Sequence, residues 1–92
     1  MIKSVSGSAT VQFLGQSKSK FSGLDEDLAK QRIAELHAAT SLESLSKLNS
    51  VGLHKLKGPL SDFWSVNVTA RWRIIFKFRD GDAYEVKITD TH

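Results

Sequence analysis

The residues of this chain with the greatest capacity for chemistry lie in its second half. His54 and Lys57 stand in "GLHKLKG", Arg73 follows, and Asp90 and His92 belong to the terminal "ITDTH". Imidazole titrates near neutral pH and can accept or donate a proton, and cations offset negative charge that develops on phosphorus. These types suffice for metal-free phosphodiester cleavage, in which one group deprotonates a ribose 2′-OH and another protonates the leaving 5′-oxygen. The same residues also occur as solvated side chains, and spacing alone leaves both interpretations open.

Other chemistries lack their sequence signatures. The chain has no cysteine, and the patterns Gly-x-Ser-x-Gly, His-x-x-x-His and His-Glu-x-x-His are absent, so neither a nucleophilic triad nor a zinc site is predicted. There is no glycine-rich phosphate loop, which argues against nucleotide hydrolysis. The remaining histidine, His37, falls in a helical pattern and is interpreted as a surface residue. We therefore expect no metal and no cofactor.

Length and composition predict one globular domain over residues 1–92, with 40% hydrophobic and 25% charged residues. The lack of cysteine fits a reducing cytoplasm, and no apolar run reaches signal-peptide or membrane-helix length, so a cytoplasmic protein without membrane insertion is expected. The net charge of +3 arises entirely in residues 47–92, which contain eight Lys or Arg residues and five Asp or Glu residues. A basic half suits a polyanion such as nucleic acid, although +3 is common among small soluble proteins.

The first half of the chain has mainly helical patterns. Ser22 and Asp25 have the spacing of an N-terminal helix cap, and an apolar face of Ala29, Ile33 and Leu36 follows. Thr40 and Glu43 repeat the cap spacing before a second helix with Leu42, Leu45 and Leu48. "MIKSV" fits a short edge strand, whereas "ATVQFLGQ" fits either a helix or a strand.

The second half alternates with the period of strands. "FWSVNV", "ARWRIIFKF" and "AYEVKI" each place apolar residues on one side, Tyr84, Val86 and Ile88 among them, and "RDGD" predicts a hairpin turn. We therefore predict an α+β fold in which two N-terminal helices pack on one face of a mainly antiparallel sheet of three to five strands. The opposite face should carry Arg71, Arg73, Lys77 and Arg79, a pattern that suits a phosphate backbone but is also routine on solvated sheets.

Three segments, "LHKLKG", "WSVNVTARWRIIF" and "GDAYEVKITDTH", resemble the HigB family of toxins within the RelE/ParE superfamily of toxin–antitoxin systems. The resemblance implies the RelE-like microbial RNase fold and a ribosome-dependent endoribonuclease, an mRNA interferase that cuts translated mRNA. It also implies a helix-turn-helix antitoxin of the HigA type, which neutralises the toxin and helps to repress the shared operon, so operator DNA would be bound only through the complex.

The resemblance also implies roles for individual residues. The two histidines, His54 and His92, would share proton transfer with Asp90, while Lys57 and Arg73 would hold the scissile phosphate. Further RNA contacts are expected from the basic residues and the terminal hydroxyl, namely Lys55, Arg71, Lys77, Arg79 and Thr91.

The C-terminus raises two specific expectations. Thr91 stands where the family has a tyrosine, so a ring able to stack on an unpaired base is missing. The terminal carboxylate lies on His92 itself and favours the imidazolium form, which suits a proton donor. Strict alternation would put Asp90 and His92 on the face opposite Arg73, so we expect the regular strand to stop near Thr89 and the last residues to turn.

Two alternative functions fit much of the same sequence. A ParE-like toxin would share the fold and act by binding DNA gyrase without cutting RNA. A non-catalytic RNA-binding module would use only the basic face of the sheet. The pair of terminal proton-handling residues, with His54, favours the nuclease, because the other two functions have no evident need of them.

Overall fold

The protein combines three short helices with one antiparallel sheet. The computed structural model describes residues 1–15, 21, 23–47 and 52–90. The helices are α1 (Ser8–Leu14), α2 (Glu26–Ala38) and α3 (Leu42–Ser46), and a short 3-10 helix spans Gly58–Leu60. The strands are β1 (His54–Lys55), β2 (Trp64–Asn67), β3 (Trp72–Arg79) and β4 (Asp82–Asp90), and they pair in chain order. The predicted α+β architecture is confirmed, with α1 as an additional helix in the segment whose pattern was ambiguous.

Side-chain caps fix where two of the helices begin. Asp25 caps α2 by accepting a hydrogen bond from the backbone N–H of Leu28 at 3.1 Å, and the predicted cap Ser22 lies outside the described residues. In α3 the cap is Ser41, whose hydroxyl accepts from the N–H of Ser44, so the prediction of Thr40 is wrong by one residue. Acidic residues occupy the first turn of both helices, where the helix dipole favours them.

The helices pack on one face of the sheet and form the core with it. Burying these apolar side chains together supplies most of the driving force for folding. The buried core contains Phe13 from α1, Ala29 and Leu36 from α2, Leu45 from α3, and Val66, Trp72, Ile74, Phe76, Ala83, Val86 and Ile88 from the strands. Among the described residues no helix has the length and apolar character needed to cross a membrane.

The N-terminal residues extend the sheet past β4. Ile2 forms a parallel bridge with Ala83, and Val5 forms one with Val86. The predicted edge strand is thus present as two isolated bridges, which cover part of the otherwise exposed edge of β4.

A β-bulge at Glu85 changes which side chains of β4 reach the core. Glu85 has φ of +52°, and the pairing with β3 shifts there, from Ile75 opposite Lys87 to Lys77 opposite Tyr84. The extra residue inverts the alternation, because two residues of β4 then oppose one residue of β3. The prediction that Tyr84 packs in the core is therefore wrong, whereas the prediction for Val86 and Ile88 is confirmed.

The turn before the bulge is as predicted from "RDGD". Arg79 pairs with Asp82, so Asp80 and Gly81 form a two-residue connection with φ of +52° and +81°. Positive φ at both central residues is the geometry that suits the twist of a hairpin.

Arg32 is a buried cation on the core side of α2 and is only 5% exposed. Its Nε donates to the backbone carbonyl of Asn67 at 3.0 Å, and its Nη1 pairs with Glu35 at 2.8 Å. The carbonyl belongs to the last residue of β2, so Arg32 joins the helix to the end of the strand on which the functional face is built.

Replacing Arg32 by Ala should lower the free energy of unfolding by about 2 kcal/mol, because the Asn67 carbonyl loses a charged donor in a buried setting. Gln31→Ala, at an exposed position of the same helix, should change it by less than about 0.5 kcal/mol. Urea unfolding followed by tryptophan fluorescence measures both. Equal effects of the two substitutions would show that the buried contacts of Arg32 contribute nothing specific.

Candidate active site

The sheet face opposite the helices, called the open face below, carries His54 in a row of paired residues. His54 lies opposite Ser65, Ser65 lies opposite Ile75, and Ile75 lies opposite Lys87. Residues that are directly opposite in antiparallel strands project to the same face. His54 and Lys87 are exposed at the ends of this row, and Ser65 and Ile75 are buried between them.

Arg73 occupies the neighbouring row of the open face. It lies opposite Asn67 on one side and Thr89 on the other. Because Arg73 is two residues from Ile75, its side chain is a diagonal neighbour of Ser65. The structure thus brings His54 and Arg73 to one face, separated by β2, as the prediction of a shared site requires.

The backbone of Gly52 fixes the ring of His54. The Nδ1 atom of His54 lies 2.9 Å from the Gly52 carbonyl oxygen, and a carbonyl can only accept, so Nδ1 carries the proton. Gly52 has φ of +59°, and a Cβ at this position would collide with the side-chain amide of Asn67. In the neutral ring the Nε2 atom is then the unprotonated nitrogen, which can accept a proton.

Two polar atoms of this face are buried and make no hydrogen bond. The Ser65 hydroxyl oxygen and the Nε of Arg73 have no partner within the described part of the chain. Ser65 is absent from the residues predicted for the site. Alternation assigns it to the polar side of β2, but its burial arises from its neighbours on the adjacent strands, which the sequence does not show.

Asp90 lies on the other side of the sheet from Arg73. It is opposite Trp72, a core residue, and its Oδ2 accepts from the Nε of Arg71 at 2.8 Å. The guanidinium of Arg71 also lies 5.0 Å from the Trp72 ring. Arg71 therefore lies with Asp90 at the end of the sheet where Trp72 and Asp90 pair, called the rim below. The prediction that Arg71 joins the open face is wrong, because β3 begins only at Trp72. The strand runs one residue beyond the predicted end, Thr89, and brings Asp90 to the rim.

The two lysines that follow His54 take different positions. The ammonium of Lys55 lies 5.4 Å from the ring of its partner Trp64. Lys57 is exposed in extended backbone just before the 3-10 helix and has no polar partner in the described residues. No contact joins Lys57 to His54 or Arg73, and the three-residue separation places it on the far side of an extended chain from His54.

The basic residues near the hairpin turn have local partners. Lys77 pairs with Glu85 at 2.8 Å and lies 5.2 Å from the Phe63 ring. The guanidinium of Arg79 covers the ring of Tyr84 at 4.4 Å. Both lie on the open face as predicted, but the charge of Lys77 is balanced by its partner.

The two terminal residues, Thr91 and His92, lie outside the described residues, so the approach of His92 to His54 stays a prediction. Over the described part of the chain, no three His, Cys, Asp or Glu residues are grouped so as to hold a metal ion.

Comparisons with known proteins agree with this architecture. A solved structure of YafQ from E. coli, at 11% identity over 99% of this chain and 94% of that protein, superposes with a TM-score of 0.63. A toxin from Helicobacter pylori, solved as a copper-bound mutant, gives 0.59 at 14% identity over 99% of this chain and 96% of its own. These similarities concern the fold.

Sequence comparisons identify the family. Endoribonuclease HigB of Proteus vulgaris is 38% identical over 68 residues, which cover 74% of this chain and 73% of that protein. The model of the HigB-like toxins, described as RelE-like toxins of the type II toxin–antitoxin system HigB, matches residues 11–92. The chain therefore belongs to the HigB-like toxin family.

Proposed function

We propose that this protein is the toxin of a type II toxin–antitoxin pair and a ribosome-dependent endoribonuclease that cuts translated mRNA. Membership of the HigB-like family and the 38% identity to Endoribonuclease HigB support the RNA-cleaving activity. The structural observation that carries the mechanism is the placement of His54 and Arg73 on the same open face. A ribosome-bound message cannot enter a deep pocket, so a reactive open face suits this substrate.

His54 is the general base in this proposal. Its Nδ1–H is held by the Gly52 carbonyl, which leaves Nε2 to take the proton of the ribose 2′-OH. The oxygen so activated attacks the adjacent phosphorus and displaces the 5′-oxygen of the next nucleotide, giving a cyclic phosphate. Arg73 offsets the charge that grows on the phosphate oxygens. Lys57 lies on the far side of the extended segment from His54 and would instead contact the RNA backbone beside the site.

His92 is the general acid that protonates the leaving 5′-oxygen. This assignment follows from giving the role of base to His54, because the second imidazole can then supply a proton near neutral pH. Asp90 lies two residues before His92 in the sequence and pairs with Arg71, so this ion pair would hold the segment that leads to His92. Because Asp90 faces away from Arg73, it would act by orienting His92 and would not contact the phosphate.

The partners follow from the family and the surface. A toxin of this family has an antitoxin partner, and we propose a helix-turn-helix antitoxin of the HigA type that carries the complex to operator DNA in the cytoplasm. Arg79 and Lys87 on the open face, and Lys55 and Arg71 at its margins, would contact the RNA backbone. The ParE-like alternative has no support, because the matching family and the matching curated relative are both HigB.

Replacing His54 or Arg73 by Gln should reduce cleavage of ribosome-bound mRNA by about 100-fold or more, because a proton acceptor or a phosphate-binding cation is lost. Mapping RNA 5′ ends after incubation of purified toxin with translating ribosomes measures this. His37→Gln, the same change on α2, is the control and should cleave at the wild-type rate. Wild-type cleavage by His54→Gln would refute the assignment of the base, and intact messages with the wild-type protein would refute the nuclease.

The two described histidines should occupy opposite neutral tautomers. His54 donates from Nδ1 to Gly52, whereas the Nδ1 of His37 accepts from the backbone N–H of Ile2 at 3.1 Å and must carry its proton on Nε2. Long-range 15N–1H correlation spectra above the titration range of both rings distinguish these forms. The same tautomer for both rings would contradict the proposed orientation of His54.

Thr91→Tyr should raise the cleavage rate, because the substitution restores a ring that can stack on an unstacked base, which contributes about 1 to 3 kcal/mol. Single-turnover cleavage on ribosomes measures the change. Thr91→Val, which adds no ring, serves as the control and should bring no increase. An equal or lower rate for Thr91→Tyr would show that the codon is held without this ring.

A further inference from the structure

The open face contains two buried donors that have no acceptor among the described residues. Ser65 is 0% exposed, and neither its hydroxyl nor the Nε of Arg73 has a partner in the described residues. Most buried polar groups in proteins are hydrogen-bonded, so two exceptions on one face require an explanation. The third such atom, Nε1 of Trp72, belongs to a core residue on the helix side and is not part of this pair.

The strand register places the two donors near each other. Ser65 and Arg73 are diagonal neighbours on β2 and β3, a relation that separates residues by about 7 to 8 Å, with Cβ atoms somewhat closer and both side chains on the same side. His54 is directly opposite Ser65 on β1. An oxygen bound between the two donors would therefore lie beside the proposed base.

Charge identifies the acceptor as an anion. The carboxylates at the hairpin end of the sheet already have partners, Asp82 in the N-terminal amino group of Met1 and Glu85 in Lys77. No carboxylate of the described residues pairs with the guanidinium of Arg73, and its Nε lacks a hydrogen-bond partner there. A neutral water could occupy the space, but a charged donor binds an anionic oxygen more strongly.

We infer that Ser65 is a further catalytic residue: its hydroxyl and the Nε–H of Arg73 together bind a non-bridging oxygen of the phosphodiester that is cut. The inference rests on the proposed function and adds to it a residue and a specific contact. Ser65 donates one hydrogen bond, Arg73 donates a charge-assisted one, and both strengthen as negative charge accumulates on that oxygen in the transition state.

The first experiment uses Ser65→Ala with Thr10→Val as its matched control. Thr10 also carries a buried hydroxyl, but that one accepts from the N–H of Ile88 at 3.1 Å and so already contributes to the folded state. Ser65→Ala should reduce single-turnover cleavage about 10- to 100-fold without lowering the thermal midpoint, because the hydroxyl makes no hydrogen bond to any residue that the structure describes. Thr10→Val should lower the midpoint and retain the cleavage rate per folded molecule. Wild-type cleavage by Ser65→Ala, or a fall in its stability that accounts for the loss, would overturn the inference.

A sulfur substitution at the scissile phosphate tests the contact itself. Two diastereomeric phosphorothioate messages each replace one non-bridging oxygen by sulfur, a poorer hydrogen-bond acceptor. Wild-type toxin should cleave one diastereomer more slowly than the other, and Ser65→Ala should reduce that difference several-fold, since one of the two donors is already gone. An unchanged ratio in Ser65→Ala would overturn the inference.

A binding measurement separates this inference from the proposed function. Inorganic phosphate titrated into the 15N-arginine-labelled toxin should shift the Nε–H signal of Arg73, with a several-fold higher dissociation constant in Ser65→Ala. If the wild type binds phosphate in this way but cuts no message, the proposed function fails and the subsite stands. If the wild type cuts mRNA while phosphate leaves the Arg73 signal unmoved, the subsite fails and the nuclease stands.

Discussion

A pleated strand sends neighbouring side chains to opposite faces, and this constraint determines what the open face presents. The side chains of Trp72, Ile74 and Phe76 in β3 lie in the core, so the side chain of Arg73 lies on the opposite face. The register of β2 and β1 then brings Ser65 and His54 to the same side. A slip of one residue would drive the Arg73 charge into the core, where nothing compensates it. The apolar core thus determines which of the proposed site residues lie together on the open face.

The bulge at Glu85 divides the open face into two regions with different charge balance. Toward the hairpin, Lys77 is neutralised by Glu85, and Arg79 lies on Tyr84, which the bulge has turned out of the core. Toward the other end, no carboxylate of the described residues accompanies Arg73. An approaching polyanion is therefore attracted most strongly to the end that carries Arg73 and, across β2, His54.

Much of this arrangement could be predicted from the sequence, because it follows from local periodicity. The alternation of β3, the hairpin at Asp80 and Gly81, and the helix that contains Leu36 were predicted, and the structure confirms them. Residue chemistry and a family resemblance, and not periodicity, connected His54 with Asp90 and His92. That connection stays a prediction.

The features that were missed depend on contacts between distant residues. Glu85 adopts a positive φ without being glycine, so no local signal marks the bulge. Arg71 turns toward the rim because Asp90, 19 residues away, offers a carboxylate there. Ser65 is buried by its neighbours on two other strands, and a serine in an alternating pattern looks the same whether it is solvated or enclosed.

Arg32, which is buried, and Arg73, which is half-buried, differ in whether the protein itself supplies their hydrogen-bond partners. The guanidinium of Arg32 is enclosed with the carbonyl of Asn67 and with Glu35, so its charge and its donors are compensated within the protein. The guanidinium of Arg73 lies on β3, diagonal to Ser65, and its Nε has no hydrogen-bond partner among the described residues. In a chain of this size, whose total stability is about 5 to 15 kcal/mol, an uncompensated donor is a substantial cost. On the proposed function, the phosphodiester supplies the acceptor for the Nε–H of Arg73 and for the Ser65 hydroxyl, whereas the Nε and Nη1 of Arg32 already have acceptors within the protein.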